Sequence, residues 1–175
     1  MPNSNNSTTF QCFLITFEGL GLNNFDPVPS IDAGFTTASF PGWVALLPIS
    51  SGGTGNIANL PSPITTIFFK DAPDSRDITF TNPIASIDLK YVSTDTVTMQ
   101  AFDASNNLLA TVSAPGNFVP PTLDNWEPLG INLSSNVISR ITFTGPISNF
   151  AIDNVNICIV TANRGLSCEA FQEIL

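Results

Sequence analysis

The chain has 175 residues, 43% of them hydrophobic and only 11% charged, and its formal net charge is −9. That length fits one domain with a full two-layer core, and its scattered cations (Lys70, Arg76, Lys90, Arg140 and Arg164) exclude a surface built for nucleic acid and disfavour an anionic membrane. The absence of histidine excludes a Ser–His–Asp triad, a Cys–His pair and any His-containing zinc site within the chain.

Residues 1–11, opening MPNSNNSTTF, are rich in Asn, Ser and Thr and predict a flexible N-terminal arm. The opening has neither the basic start nor the apolar stretch of a signal peptide. An extracellular destination is therefore expected to need a leader already removed, or another route such as release with a spore. No apolar run is long enough for membrane insertion.

A β-sandwich domain is expected over residues 12–162. Its first strand is 12–18 (CFLITFE), with Phe13, Ile15 and Phe17 on one face and Cys12, Leu14, Thr16 and Glu18 on the other. Gly19 and Gly21 end it, and residues 23–30 (NNFDPVPS) are loop, marked by two prolines and Asn/Asp chemistry. Short apolar pieces follow at 34–40 and 43–47, then a flexible Gly-rich stretch over 50–63, a strand at 64–70 and a short one at 78–80.

Period-two alternation is clearest at 85–93 (ASIDLKYVS) and 97–103 (VTMQAFD). The turn ASNN at 104–107 returns the chain into 108–113 as a hairpin. Strands at 126–133, 138–144 and 150–160 complete the set. No helical period precedes the last ten residues, and no helical crossover for a parallel sheet fits. The expected fold is all-β: a two-layer antiparallel β-sandwich of jelly-roll topology. Residues 163–175 form a C-terminal tail, read either as a short amphipathic turn or as a strand lying on a neighbour.

Cys12, Cys158 and Cys168 are an odd set with no CxxC spacing. In an oxidising compartment they predict one disulfide and one thiol left to link chains; in a reducing cytosol, three inert thiols.

Glu18 and Asp153 carry the most chemistry. Asp153 interrupts an apolar strand (FAIDNVNI), where a carboxylate is costly unless paired, hydrogen-bonded or metal-bound. If the first and last strands are neighbours, the two acids meet at one end and repel. A Ca²⁺ bridging them, with backbone carbonyls and Asp26 or Asn24 from the next loop, resolves that repulsion. A purely hydrogen-bonded role and a catalytic carboxylate pair are the other readings. The same register brings Cys12 near residues 158–159, which makes Cys12–Cys158 the candidate bridge and Cys168 the free partner.

A sugar site needs exposed aromatic platforms ringed by polar groups. Trp126, in LDNWEPLG beside Asp124 and Asn125, is the preferred platform, against the reading that it plugs the core. Trp43 and Tyr91 are expected in the core.

FEGLG, GFTTASFPGWVAL, IDLKYVSTDTVTMQAFDASNNLLATVS and ISRITFTGPISNFAIDNVNI occur here in order over residues 13–160. Together they resemble bacterial secreted jelly-roll domains of the galactose-binding-like, carbohydrate-binding-module-like superfamily, and domains of PEP-CTERM exoproteins. The resemblance implies a structural calcium at Glu18 and Asp153. This chain departs from it in lacking a PEP-CTERM anchor and in carrying the extension with Cys168.

The function expected is a non-catalytic, calcium-stabilised module, extracellular or on a cell or spore surface, that binds a glycan or mediates adhesion. The alternative is a structural subunit that assembles with copies of itself into a surface layer or fibre, through its N-terminal arm and inter-chain disulfides.

Overall fold

The alternating segments resolve, in a computed structural model that describes residues 8–162, into twelve strands. These are β1 (Thr8–Ile15), β2 (Ile31–Asp32), β3 (Thr37–Ser39), β4 (Val44–Leu46), β5 (Thr66–Phe68) and β6 (Ser75–Ile84). They continue with β7 (Ser86–Ser93), β8 (Val97–Phe102), β9 (Leu108–Ala114), β10 (Glu127–Asn132), β11 (Ile138–Thr144) and β12 (Phe150–Ala162). Among the described residues a single 3-10 turn lies at Ile49–Ser51. Among the described residues no helix is long and apolar enough to cross a membrane.

The first strand starts earlier than expected. β1 begins at Thr8, so residues 8–11 belong to the sheet and not to an arm, because Thr8–Ile15 pairs residue for residue with Val155–Ala162 of β12. The polar sequence TTFQ hides this strand, since ladder bonds use the backbone and its side chains from Thr9 to Gln11 stay exposed. The remainder of the expected arm, the C-terminal tail and Cys168 lie outside the described residues.

The strands form two antiparallel sheets packed as a jelly-roll sandwich. One has the order β10-β7-β12-β5-β4, with β1 also on β12; the other runs β2-β3-β6-β11-β8-β9. Alternate residues face the core as the period of two requires: Ile87, Leu89 and Tyr91 from β7, Val97, Met99 and Ala101 from β8. Trp43 is fully buried among Phe69, Phe143 and Phe150, with ring centroids 5.5–6.1 Å apart, and its indole N–H donates to Asp77 O at 2.9 Å. Its partner for that polar atom is what allows a tryptophan there.

The opposite face of the β7-β12-β5-β4 sheet carries a second, smaller core of Leu46, Ile57, Phe68, Val92 and Ala151. Leu60, Leu123 and Trp126 pack against it. The Gly-rich stretch expected as a flexible spacer thus folds over the sheet, and Ile57 is its anchor.

β12 changes partners halfway. On one flank it pairs with β7 from Phe150 to Cys158; on the other it pairs with β5 at Ala151–Ile152 and with β1 from Val155 onward. At the seam between them, Asp153 and Asn154 have no ladder neighbour on that flank. A β-bulge sits here: three steps on β12 (Asp153 to Asn156) face two on β7 (Lys90 to Asp88). Asn154 takes φ 50°, the left-handed region that Asn tolerates better than most residues. The bulge also shifts the inward phase, so Phe150 and Ile152 point into the core before it and Val155 and Ile157 after it.

Candidate functional site

The seam gathers both acids around Ser62. Asp153 is fully buried, and its carboxylate accepts from Ser62 N at 2.9 Å and from Asn154 N at 2.7 Å. Glu18, half-buried, accepts from Ile64 N at 2.9 Å and Thr65 N at 2.6 Å. Its position follows from Phe17, whose φ of 63° turns the chain after β1 while its buried ring packs edge-on against Phe40. A positive φ in a bulky residue is a genuine outlier that only surrounding packing can hold.

Five oxygens lie within 3.3 Å of the Ser62 hydroxyl: Thr16 O, Thr65 O, Glu18 Oε1, and Asp153 Oδ1 and Oδ2. One hydroxyl proton serves one acceptor at a time, so the others face Oγ lone pair to lone pair. Next to this set, Asn154 Oδ1 is buried without a partner. Burial pushes the Asp153 carboxyl up to about 6; its bonds from Ser62 and Asn154 oppose the rise and the Glu18 charge adds to it. The donor set is all oxygen, which matches a hard cation of the Ca²⁺ type. No group of three His, Cys, Asp or Glu occurs among the described residues, so the carbonyls of Thr16 and Thr65 must complete any such set.

Asp26 and Asn24, expected to join the acids, do not. Asp26 accepts from Asn23 N and Nδ2 at 2.7 and 3.0 Å; Asn24 Oδ1 accepts from Leu47 N at 3.0 Å, and its Nδ2 donates to Thr54 at 2.7 Å. Those bonds are the Asx chemistry of a tight loop. Their effect is to present Phe25, held at φ 71°, as one wall of a cleft.

The cleft lies over the second core and has a volume of about 440 Å³, within the usual range for small-ligand sites. Leu46, Ile57 and Phe68 line it, and Phe25 and Phe118 stay 38% and 36% exposed at its walls. Asn56, Asn149, Thr54 and Ser148 supply amides and hydroxyls. Lys70 also lines it, its ammonium 4.4 Å from the centroid of the Phe25 ring.

Trp126, the expected platform, stands away from this cleft. Its indole N–H donates to Ala58 O at 3.0 Å, and the ring is half-buried against the second core, pinning the 54–60 loop to the sheet. Asn125 exchanges bonds with Asn117 (Nδ2 to the Asn117 carbonyl at 3.3 Å, and Asn117 Nδ2 to its own carbonyl at 2.7 Å), which braces the 117–125 loop. Neither Asp124, Asn125 nor Trp126 lines the cleft. Phe25, Phe118 and Ser62 are not among the site residues expected from the sequence. The signal for the two phenylalanines was available: each is an aromatic stranded in a polar, proline-bounded loop (NNFDP and GNFVPP). Ser62, between Pro61 and Pro63, had none.

Cys12 and Cys158 face each other in register and are joined by a disulfide, with Cα atoms 4.1 Å apart.

No protein-family model matches the chain, and no curated protein matches it. Solved structures do. The K2 cleaved adhesin domain of Lys-gingipain superposes with a TM-score of 0.50 at 12% identity, over 84% of this chain and 99% of that domain. CBM29_1, a family 29 carbohydrate binding module from Piromyces equi, gives 0.45 at 5% identity, covering 87% and 91%. CsCBM6-3 from Clostridium stercorarium, in complex with cellobiose, gives 0.37 at 15% identity, covering 79% and 97%. The likeness to the adhesin domain is one of fold, in keeping with the sandwich derived above from strand order.

Proposed function

We propose that this protein is a non-catalytic saccharide-binding or adhesion module whose ligand site is the cleft between Phe25 and Phe118. The observation that carries this reading is the pairing of two exposed rings with side-chain amides around one cavity. The C–H face of a pyranose stacks on an aromatic ring, while amides and hydroxyls bind its hydroxyl groups directionally. The cleft is braced by Asn24, Asp26 and Trp126, so it is largely preformed and little ordering entropy opposes binding.

The seam is read as a structural calcium site. Glu18 and Asp153 would hold the ion with the carbonyls of Thr16 and Thr65, and its charge would offset the repulsion of the two acids. It would also tie the first strand to the last. The Cys12–Cys158 bridge supports an oxidising location, secreted or on a cell or spore surface, as for the PEP-CTERM exoprotein domains that the sequence resembles.

Self-assembly is the second reading. One observation favours it: β1 pairs only with β12 among the described residues, and on this strand Phe10 and Leu14 are 58% and 52% exposed.

Isothermal titration against a panel of oligosaccharides, in calcium, tests the first reading. At least one saccharide is expected to bind the native protein, and Phe118→Ala to weaken it by about tenfold through loss of one stacking face. A panel with no binder, or a binder indifferent to both Phe118→Ala and Phe25→Ala, would falsify it.

A further inference from the structure

Resting on the saccharide reading of the cleft, we infer that its ligand is an acidic saccharide, one carrying a carboxylate or sulfate against Lys70. The chain holds 14 acidic side chains against five cations, yet no Asp or Glu lines this cleft while one of the rare lysines does. Two of the other cations are committed to structure. Arg76 donates to the carbonyls of Gly42, Asp71, Pro73 and Ser75. Arg140 lies over the Phe102 ring, its centre 4.0 Å from the centroid, and bonds Asp77 at 3.4 Å. Lys70, in contrast, is exposed and has no ion pair among the described residues.

The Phe25 ring holds the Lys70 ammonium at the wall of the cavity without neutralising it. A ring face satisfies one side of the ammonium and leaves N–H donors for a ligand anion. The aromatic wall, the amides and the cation together fit a pyranose with an acidic substituent better than a neutral one. The overall charge of −9 opposes an anion at long range, but at physiological ionic strength fields are screened beyond about 8 Å. A direct ammonium–anion contact lies well inside that distance, so the local charge decides selectivity.

The test compares galactotriose, trigalacturonic acid and a sulfated galactotriose by titration calorimetry on the native protein and on Lys70→Gln. At least one acidic trisaccharide is expected to bind about tenfold more tightly than the neutral one, and the carboxylate and sulfate arms show which anion is meant. Lys70→Gln is expected to bring that ratio to about one, and Lys70→Arg to preserve it. Equal or tighter binding of the neutral sugar, or a preference that survives Lys70→Gln, overturns the inference and leaves the saccharide reading standing. Failure of every saccharide to bind overturns both. Lys70 is exposed, so matching circular dichroism of the variants verifies that the fold is intact.

Discussion

Protein stripped of divalent ions is expected to melt at a higher temperature at pH 4.5 than at pH 7, and calcium-loaded protein to do the reverse. Asp153 is fully buried, and burial raises its carboxyl from 3.8 to about 6, with Glu18 adding to the rise. A carboxyl that holds its proton more tightly folded than unfolded favours the native state while protonated. That contribution is complete below the unfolded value, near 4, and is lost as pH rises through about 6. Between pH 4.5 and pH 7 the displacement amounts to about 2 kcal/mol, or roughly 4–8 °C for a domain of this size.

A bound cation inverts the dependence, because it needs both carboxylates ionised and so leaves as pH falls through the same range. Asp103, half-buried on the turn after β8, is shifted the opposite way by its bonds from Asn107. Asp153→Asn controls for it and for the general loss of negative charge: the variant is expected to lose the acid stabilisation of the stripped form and the response to calcium. Scanning calorimetry with and without calcium reads both. A stripped protein that melts lower at pH 4.5 than at pH 7 contradicts the burial argument; identical curves with and without calcium at pH 7 contradict the cation site.

Replacing Cys12 and Cys158 by serine is expected to cost roughly 2–5 kcal/mol, a fall in Tm of about 5–15 °C. The bond closes a loop across a sequence separation of 146 residues, nearly the whole described chain. A cross-link of that span removes much freedom from the unfolded chain and none from the native one, where β1 and β12 are already in register. Thiol counting in denaturant checks the pairing: no more than one free thiol is expected before reduction and three after. Three free thiols at the outset would rule the bridge out. On non-reducing gels the same sample separates the two functional readings, since a ladder that collapses with reductant favours assembly and a single monomer band favours the module.

The acid pair was legible because burial penalties are local: a lone Asp in FAIDNVNI announces that something must satisfy it. The neighbouring of first and last strands entered as a condition on the meeting of the acids; given that condition, the register that joins Cys12 to Cys158 followed. What satisfies the acids was not legible. Ser62 and the backbone N–H groups of Ile64 and Thr65 come from a Pro- and Gly-rich stretch whose course over the sheet depends on tertiary contacts by Ile57 and Leu60. Backbone donors leave no mark in a sequence.

The course of the same loop also decides the surroundings of Trp126. Polar neighbours suggested exposure, yet folding of the 54–60 segment across the sheet creates a second core that covers the indole and takes its N–H. Asn24 and Asp26 were rightly seen as turn-forming residues but assigned to the wrong partner. They shape the Phe25 loop, and chain proximity to Glu18 said nothing about which way their side chains turn.

Chemical-shift mapping by NMR on isotope-labelled, calcium-loaded protein tests saccharide binding in the cleft most directly. On titration with the best-binding oligosaccharide, perturbations are predicted to concentrate at Phe25, Thr54–Ile57, Lys70, Phe118 and Ser148–Asn149. Shifts centred instead on the exposed β1 strand, or on the outer face of the β6-β11-β8 sheet around Arg140, would contradict the assignment.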